Sequence, residues 1–122
     1  MSILSTLVQS TLNELFPANP HRRVFPEHYV RYKSTKLFFD FFIREISTLV
    51  ECQGRQHTEY VKHFHGSRGS FLKQKFRDNL KIEYVQNNNL YLIRVYDYED
   101  ITGKLILDKI NKAFESTYNF CD

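Results

Sequence analysis

Apolar side chains recur at positions 3, 4, 7, 8, 12, 15 and 16, the spacing of a single helical stripe, because neighbours on a helix face lie three or four residues apart. Ser2 stands where a cap belongs and Pro17 where a helix must stop, so the pattern predicts a first helix between them. The period then changes. Three stretches rich in β-branched and aromatic residues, over 24–32, 37–43 and 49–52, predict strands. Pro26 assigns the first of them to a sheet edge, since proline cannot donate to a ladder. Ser70 can cap a helix running to about Gln86, with Phe71, Leu72, Phe76, Leu80, Ile82 and Val85 on a broad apolar side. Asn87, Asn88 and Asn89 signal a turn, because short amides tolerate left-handed backbone. A buried strand over 90–96 and a last helix over about 102–118 complete the chain; Leu105, Ile106, Ile110, Ala113 and Phe114 form the apolar side of that helix. A helix between the strands at 49–52 and 90–96 implies a right-handed crossover and parallel pairing of the two. The expected fold class is α/β, with a mixed central sheet in the order αβββαβ and a C-terminal helix.

Two of the predicted strands carry acids. Side chains alternate along a strand, so Asp40 is expected on one face and Phe39 and Phe41 on the other, while Glu51 and Gln53 share a face. Asp40 and Glu51 are eleven positions apart, and a turn centred near Glu45 and Ile46 sets them opposite each other across a hairpin. Two acids brought together in this way resist joint ionisation, and a divalent cation relieves that cost. Asp40, Glu51 and the Cys52 carbonyl are hard oxygen donors suited to Mg²⁺ (or Mn²⁺), which keeps several waters of its own for chemistry. The same spacing is met by two strand-end acids paired with Lys36 or Arg55.

Composition adds a partner. A chain of 122 residues with 42% hydrophobic content is long enough for one cored domain, 1–122, and too short for two. The net charge of +3 is mild, but basic residues outnumber acids between Arg22 and Lys81 while the segment after Tyr96 is acidic. A one-sided basic surface fits double-stranded DNA. Arg22, Arg23, Arg31, Lys33 and Lys36 surround Tyr29 and Tyr32, and Arg55, Lys62, Arg68, Lys73, Arg77 and Lys81 extend the set of phosphate contacts. Only Cys52 and Cys121 are present, so no disulfide framework is expected. The sequence shows neither a secretory signal nor an apolar run of the roughly 18 residues that span a bilayer, which points to no membrane and to the interior of a cell, the cytoplasm of a host included. Tyr118 and Phe120 are expected as exposed aromatics through which a homodimer or higher homo-oligomer would form.

Between Gly54 and Gly69 lie His57, His63 and His65. The H-x-H pair of His63 and His65 lacks the cysteine partners of a zinc site and is a weak signal. His57, four residues beyond Gln53, has the chemistry of a general acid or base near neutral pH. Phosphate or solvent contact is the plainer role for all three.

The residues F-D-F-F-I at 39–43, L-V-E-C-Q-G-R-Q-H at 49–57 and F-x-x-x-x-F-R-D-x-x-K at 71–81 resemble the PD-(D/E)xK nuclease superfamily. More narrowly, they resemble its small phage-type branch, related to very-short-patch repair endonucleases and freestanding homing endonucleases. The likeness runs from the first helix to Tyr96. It implies a restriction-endonuclease-like core and metal-dependent hydrolysis of DNA phosphodiester bonds. By the same resemblance Asp40 and Glu51 hold the metal, His57 matches the histidine of G-x-Q-H, and Asp78 of R-D-x-x-K lies beside the active site. The superfamily's usual strand lysine is replaced by Gln53, which would orient water, and Lys81 or Lys75 would supply the missing cation. A phage freestanding homing endonuclease is the first expectation. A strand-nicking repair enzyme, a junction resolvase, or a catalytically silent DNA-binding protein of the same fold would share these features.

Overall fold

The computed structural model describes residues 2–54 and 68–122. Helix α1 (Ile3–Leu15) is opened by the Ser2 hydroxyl, which accepts a bond from the Ser5 amide at 3.0 Å, and closed by the Phe16 amide donating to the Leu12 carbonyl. Strands β1 (Val24–Tyr32) and β2 (Thr35–Ile43) form a long hairpin, and a 3-10 turn (Arg44–Ile46) leads into β3 (Thr48–Gln53). Helix α2 (Arg68–Asn87) precedes β4 (Tyr91–Tyr96), and α3 (Gly103–Glu115) precedes a two-residue β5 (Phe120–Cys121). The sheet runs β1-β2-β3-β4-β5. Its first three strands are antiparallel neighbours, and β3, β4 and β5 are parallel. This is the mixed α/β arrangement expected from the sequence, with β4 parallel to β3 after a helical crossover. No helix among the described residues is long and apolar enough to cross a membrane.

Three boundaries differ from expectation. Helix α2 already includes Arg68, so Ser70 lies in its first turn rather than capping it. Helix α3 stops at Glu115, because Ser116 takes an extended backbone and Asn119, with a φ of 58°, turns the chain back to the sheet. There Phe120 pairs beside Leu92, packs against the core, and lies under the Arg94 guanidinium at 4.8 Å. Tyr118 is exposed as expected, but Phe120 is not. Thr102 caps α3 through its hydroxyl, and the next residue packs closely: a Cβ on Gly103 would stand 3.2 Å from Leu15 Cδ2 at the end of α1, so that side chain would have to give by a few tenths of an ångström.

The sheet buries both faces. Val8 and Leu12 of α1 and Ile106, Ile110 and Ala113 of α3 pack on Phe41, Ile43, Val50, Ile93 and Val95. On the other side Leu80 and Val85 of α2 cover Leu37, Phe39, Leu49 and Leu92. Each fully buried aliphatic or aromatic side chain contributes about 1.5–3 kcal/mol, so both layers are needed to fix the sheet. These two clusters overturn the expectation that Phe39 and Phe41 share a face. Strict alternation would send positions 37, 39, 41 and 43 to one side, yet Leu37 and Phe39 join the α2 layer whereas Phe41 and Ile43 join the α1/α3 layer. The side change falls at Asp40. Its register neighbour on β1 would be Glu27, the one position missing from the β1/β2 ladder, and Glu27 has a φ of 57°. A left-handed residue inside a strand breaks the pleat and reverses the facing of the residues beyond it.

A polar contact ties the turn after β4 to α3. Lys109 lies on the buried side of α3, its Nζ 2.9 Å from Glu99 Oε2, while Glu99 Oε1 accepts the Tyr96 amide at 2.7 Å. Replacing Glu99 by Gln keeps the bond to Tyr96 but leaves a buried ammonium without its counter-charge. The expected loss is about 3 kcal/mol, the lower end for breaking a buried pair because Glu99 retains some exposure. Lys109→Met, which keeps an apolar stem and removes the charge, should be clearly milder. Urea denaturation of both variants checks this ordering.

Candidate functional site

The parallel register sets Glu51 of β3 beside Arg94 of β4, and both face the α2 layer with Leu49 and Leu92, two positions earlier in each strand. Glu51 is 3% exposed. A carboxylate so far from water needs charged or hydrogen-bonding neighbours, and three elements supply them. From its own strand, Gln53 Nε2 donates to Glu51 Oε2 at 2.7 Å, as side chains two apart on one face allow. From β4, Arg94 Nε donates to the same oxygen at 3.3 Å. From α2, Lys81 Nζ stands 2.6 Å from Oε1. That last approach is off the hydrogen-bonding directions, so Oε1 has a cation beside it but no donor aimed at it among the described residues.

The cations are themselves fixed. Arg94 Nη2 donates to the Asp78 carbonyl at 3.1 Å, tying β4 to α2, and its guanidinium lies over Phe120. Lys81 Nζ sits 5.3 Å from the centre of the Phe39 ring, a position that requires Phe39 on the α2 side and hence the side change at Asp40. Asp78, expected beside the site, is buried on the same helix one turn before Lys81.

Asp40 occupies the point where β2 and β3 part. Their ladder ends at Phe41 and Val50, so the next position outward on each strand brings Asp40 level with Glu51, as the spacing predicts. The Asp40 carboxylate turns to the gap between the strands, where Oδ2 accepts the Cys52 amide at 2.8 Å. It also lines a cleft of about 330 Å³ with Ser2, Ser5, Glu27, Phe38 and Cys52. Burial, and next the Asp40 charge, push the Cys52 thiol up to about 12. Asp40 and Glu51 thus bracket Cys52 with different partners: one carboxylate holds its backbone, the other faces the cations of α2 and β4.

Among the described residues, the oxygen donors at this end of the sheet include the two carboxylates and the Cys52 carbonyl, with Ser2, Ser5 and Glu27 lining the Asp40 cleft. No cluster of three or more His, Cys, Asp or Glu side chains occurs among the described residues. That donor set suits a hard ion that keeps part of its water shell better than one requiring a full protein cage. Oε1 of Glu51 faces the Lys81 ammonium rather than a strand donor.

Of the basic residues singled out in the sequence, Arg22, Arg31, Arg68, Lys73 and Arg77 are exposed. Arg23 is engaged bidentately with Glu45, Lys33 with Glu83, and Lys81 with Glu51. Arg55, His57, Lys62, His63 and His65 lie outside the described residues. Arg94 was not among the sequence candidates. Its signal was nonetheless present: a lone arginine in the otherwise apolar and aromatic run Y-L-I-R-V-Y implies a buried charge with an acid to meet it.

Among curated proteins, the chain is 36% identical over 66 residues to Uncharacterized protein 307L of Invertebrate iridescent virus 6, covering 53% of this chain and 34% of that protein. It is 42% identical over 71 residues to Uncharacterized protein 094L of Frog virus 3 (isolate Goorha), covering 57% of this chain and 46% of that protein. The chain therefore spans less than half the length of each of these viral relatives. No family model and no solved structure matches it.

The environment of Cys52 makes a prediction independent of function. A thiol with a pKa near 12 is almost wholly protonated at pH 8, and only the thiolate attacks an alkylating reagent. Iodoacetamide at pH 8 should label Cys52 in the native protein at least ~10²-fold more slowly than in urea. Mass spectrometry of the labelled peptide checks this; equal rates in the two states would mean that Asp40 and α1 do not enclose the thiol as described.

Proposed function

We propose that the protein is a metal-dependent DNA endonuclease, hydrolysing phosphodiester bonds at the end of the β2/β3 hairpin that carries Asp40 and Glu51, with Lys81 beside Glu51. The observation that carries this reading is the 2.6 Å approach of Lys81 to a buried glutamate whose strand lacks a lysine. A strand carrying E-C-Q instead of E-x-K has no cation of its own, and α2 delivers one to the same carboxylate. The F-R-D-x-x-K sequence that places Lys81 one turn after Asp78 is among the stretches that resemble the PD-(D/E)xK nucleases.

In this reading Asp40, Glu51 and the Cys52 carbonyl hold Mg²⁺ or Mn²⁺. Bound there, the ion supplies Lewis-acid polarisation of the scissile phosphate and a water of lowered pKa. The chain's own contributions come from its contacts. Arg94 and Gln53 fix one oxygen of Glu51, and the other, which lies beside Lys81 Nζ, would turn to the ion. Lys81 Nζ places positive charge where negative charge develops on the phosphate oxygens. Gln53 orients water through an amide that brings no charge, and His57 and Asp78 are the remaining candidates for proton transfer. The exposed Arg22, Arg31, Arg68, Lys73 and Arg77 would bind duplex DNA through its backbone. Cutting both strands from a domain with one such site calls for a second copy, most simply about a two-fold axis. The viral origin of the relatives accords with a freestanding homing endonuclease of viral type, and a repair nickase or junction resolvase would use the same groups. A catalytically silent DNA-binding protein is the rival reading, favoured by Gln53 and by the number of donors already around Glu51.

Nicking of supercoiled plasmid separates the two readings. The wild-type protein should nick in Mg²⁺ and not in EDTA. Asp40→Asn preserves an oxygen acceptor for the Cys52 amide, so the variant should fold, bind DNA and fail to cut. Lys81→Met should slow cutting by ~10²-fold or more, the scale of losing one preorganised charge in a transition state. Circular dichroism confirms folding. Wild-type cutting by a well-folded Asp40→Asn, or no cutting by the wild type with any divalent metal, would contradict the nuclease reading.

A further inference from the structure

The opposite end of the β2/β3 hairpin carries a second constellation that, Arg22 apart, the proposed nuclease function does not use. There the 3-10 turn brings Arg44 and Glu45 against the loop that enters β1, and a pocket of about 400 Å³ opens between His21, Arg22 and Arg44. Glu45 is the one acid among the described residues of its lining, and both of its oxygens are taken by Arg23, which holds its carboxyl below the usual carboxylate range. Arg22 and Arg44, both exposed, therefore present their charge to the pocket with no further acid among the described residues of its lining. That chemistry suits a phosphate.

A shallower pocket of about 270 Å³ adjoins it and shares two of its walls, Phe25 and Arg44. Its other walls are His28 and Phe42. Phe25 and Phe42 are register partners across β1 and β2, and the His28 ring lies 4.8 Å from Phe42 with the planes tilted by 34°. The Arg44 guanidinium lies 4.8 Å from the centre of the Phe25 ring. An arginine lying over an aromatic ring keeps N–H donors for an oxyanion, and its guanidinium can also stack on a further flat ring. Burial lowers the His28 pKa, so at neutral pH the imidazole is an uncharged ring rather than another cation. These three rings are half-buried, unlike the fully buried Phe39 and Phe41 of the same sheet.

A cationic pocket and an aromatic pocket that meet at one stacked arginine match a ligand with phosphate at one end and a flat ring at the other. We propose that this surface binds a nucleotide with an unpaired base, its phosphate between Arg22 and Arg44 and its base against Arg44, His28 and Phe42. Stacking of this kind tolerates any base, because every base has a π-face. The phosphate end of this site lies away from the Glu51 end of the sheet, although the His28 wall of its aromatic end pairs with Phe39, next to Asp40. Ile43 pairs with Thr48 at the hairpin end and Glu51 lies three residues further along β3, roughly 10 Å at about 3.3 Å per residue. It therefore stands whether or not the Glu51 end cuts DNA.

The test uses the full chain and 2-aminopurine, a base whose fluorescence falls when it stacks. Three probes are titrated: a 5′-phosphorylated single-stranded oligonucleotide ending in 2-aminopurine, the same base paired inside a blunt duplex, and free 2-aminopurine mononucleotide. Saturable quenching of the unpaired probes and none of the paired base is the expected result. Quenching of the oligonucleotide alone identifies a strand end as the source, and equal quenching by the mononucleotide identifies a small-molecule site; either supports the proposal. Arg22→Ala/Arg44→Ala alters exposed side chains only and should weaken binding at least tenfold. Arg44→Lys, which keeps the charge and loses the plane, should weaken it several-fold while leaving the circular dichroism unchanged. Absence of saturable quenching of both unpaired probes, or wild-type affinity in the folded double variant, would overturn the proposal.

Discussion

Burial of the Glu51 carboxylate is the constraint around which this sheet is arranged. An isolated carboxylate in an apolar interior is penalised by several kcal/mol after relaxation, far more than any one side chain of the surrounding layers contributes. The compensation has to come from separate elements, since Gln53 on the same strand offers a hydrogen bond but no charge. Arg94 comes from the strand that the crossover makes parallel to β3, and Lys81 from the helix that performs the crossover. The connection from β3 through α2 to β4 is thus both the topological feature of the fold and the means of neutralising one acid. Removing either cation would leave the other to meet the carboxylate alone.

The side change at Asp40 is the second dependency. Without it Phe39 would lie on the α1/α3 face and could not support Lys81, and Asp40 would project from the regular pleat. With it, Asp40 enters the gap between β2 and β3 and holds the Cys52 amide. The distortion is shared by Glu27, whose left-handed backbone is unfavourable for a residue with a Cβ. Such outliers persist where the surrounding structure over-determines them, and they concentrate at functional sites. Here the outlier sits beside the acid that the proposed mechanism needs most.

Most of the fold was legible in the chain, because long periodic segments carry their own geometry. The periodicity of α1, the crossover to β4 and the level placement of Asp40 with Glu51 all rest on spacing. What spacing does not encode is where a pleat slips. Positions 37–43 are apolar on both parities apart from Asp40, so the sequence pattern holds no trace of which phenylalanines face which helix. Strand β5 was illegible for another reason: two residues are too few for a period, and only the left-handed Asn119 turns them to the sheet. At the candidate site, the acids and Lys81 were readable as types at fixed positions. The role of Arg94 depended on the register between β3 and β4, which sets it beside Glu51 and is a property of the pair of strands rather than of either one.

The proposed mechanism turns on the Glu51 oxygen that faces Lys81 also accepting a divalent cation. Titrating Mn²⁺ into the protein with duplex DNA present, followed by water-proton relaxation, addresses that point without requiring turnover. Wild-type protein should bind one strongly relaxing Mn²⁺ per chain, and a folded Glu51→Gln/Lys81→Met variant, in which the acid and its nearest cation are removed together, should lose at least tenfold in affinity. Equal Mn²⁺ binding by the two proteins would contradict the mechanism and leave the buried cluster as a structural ion network.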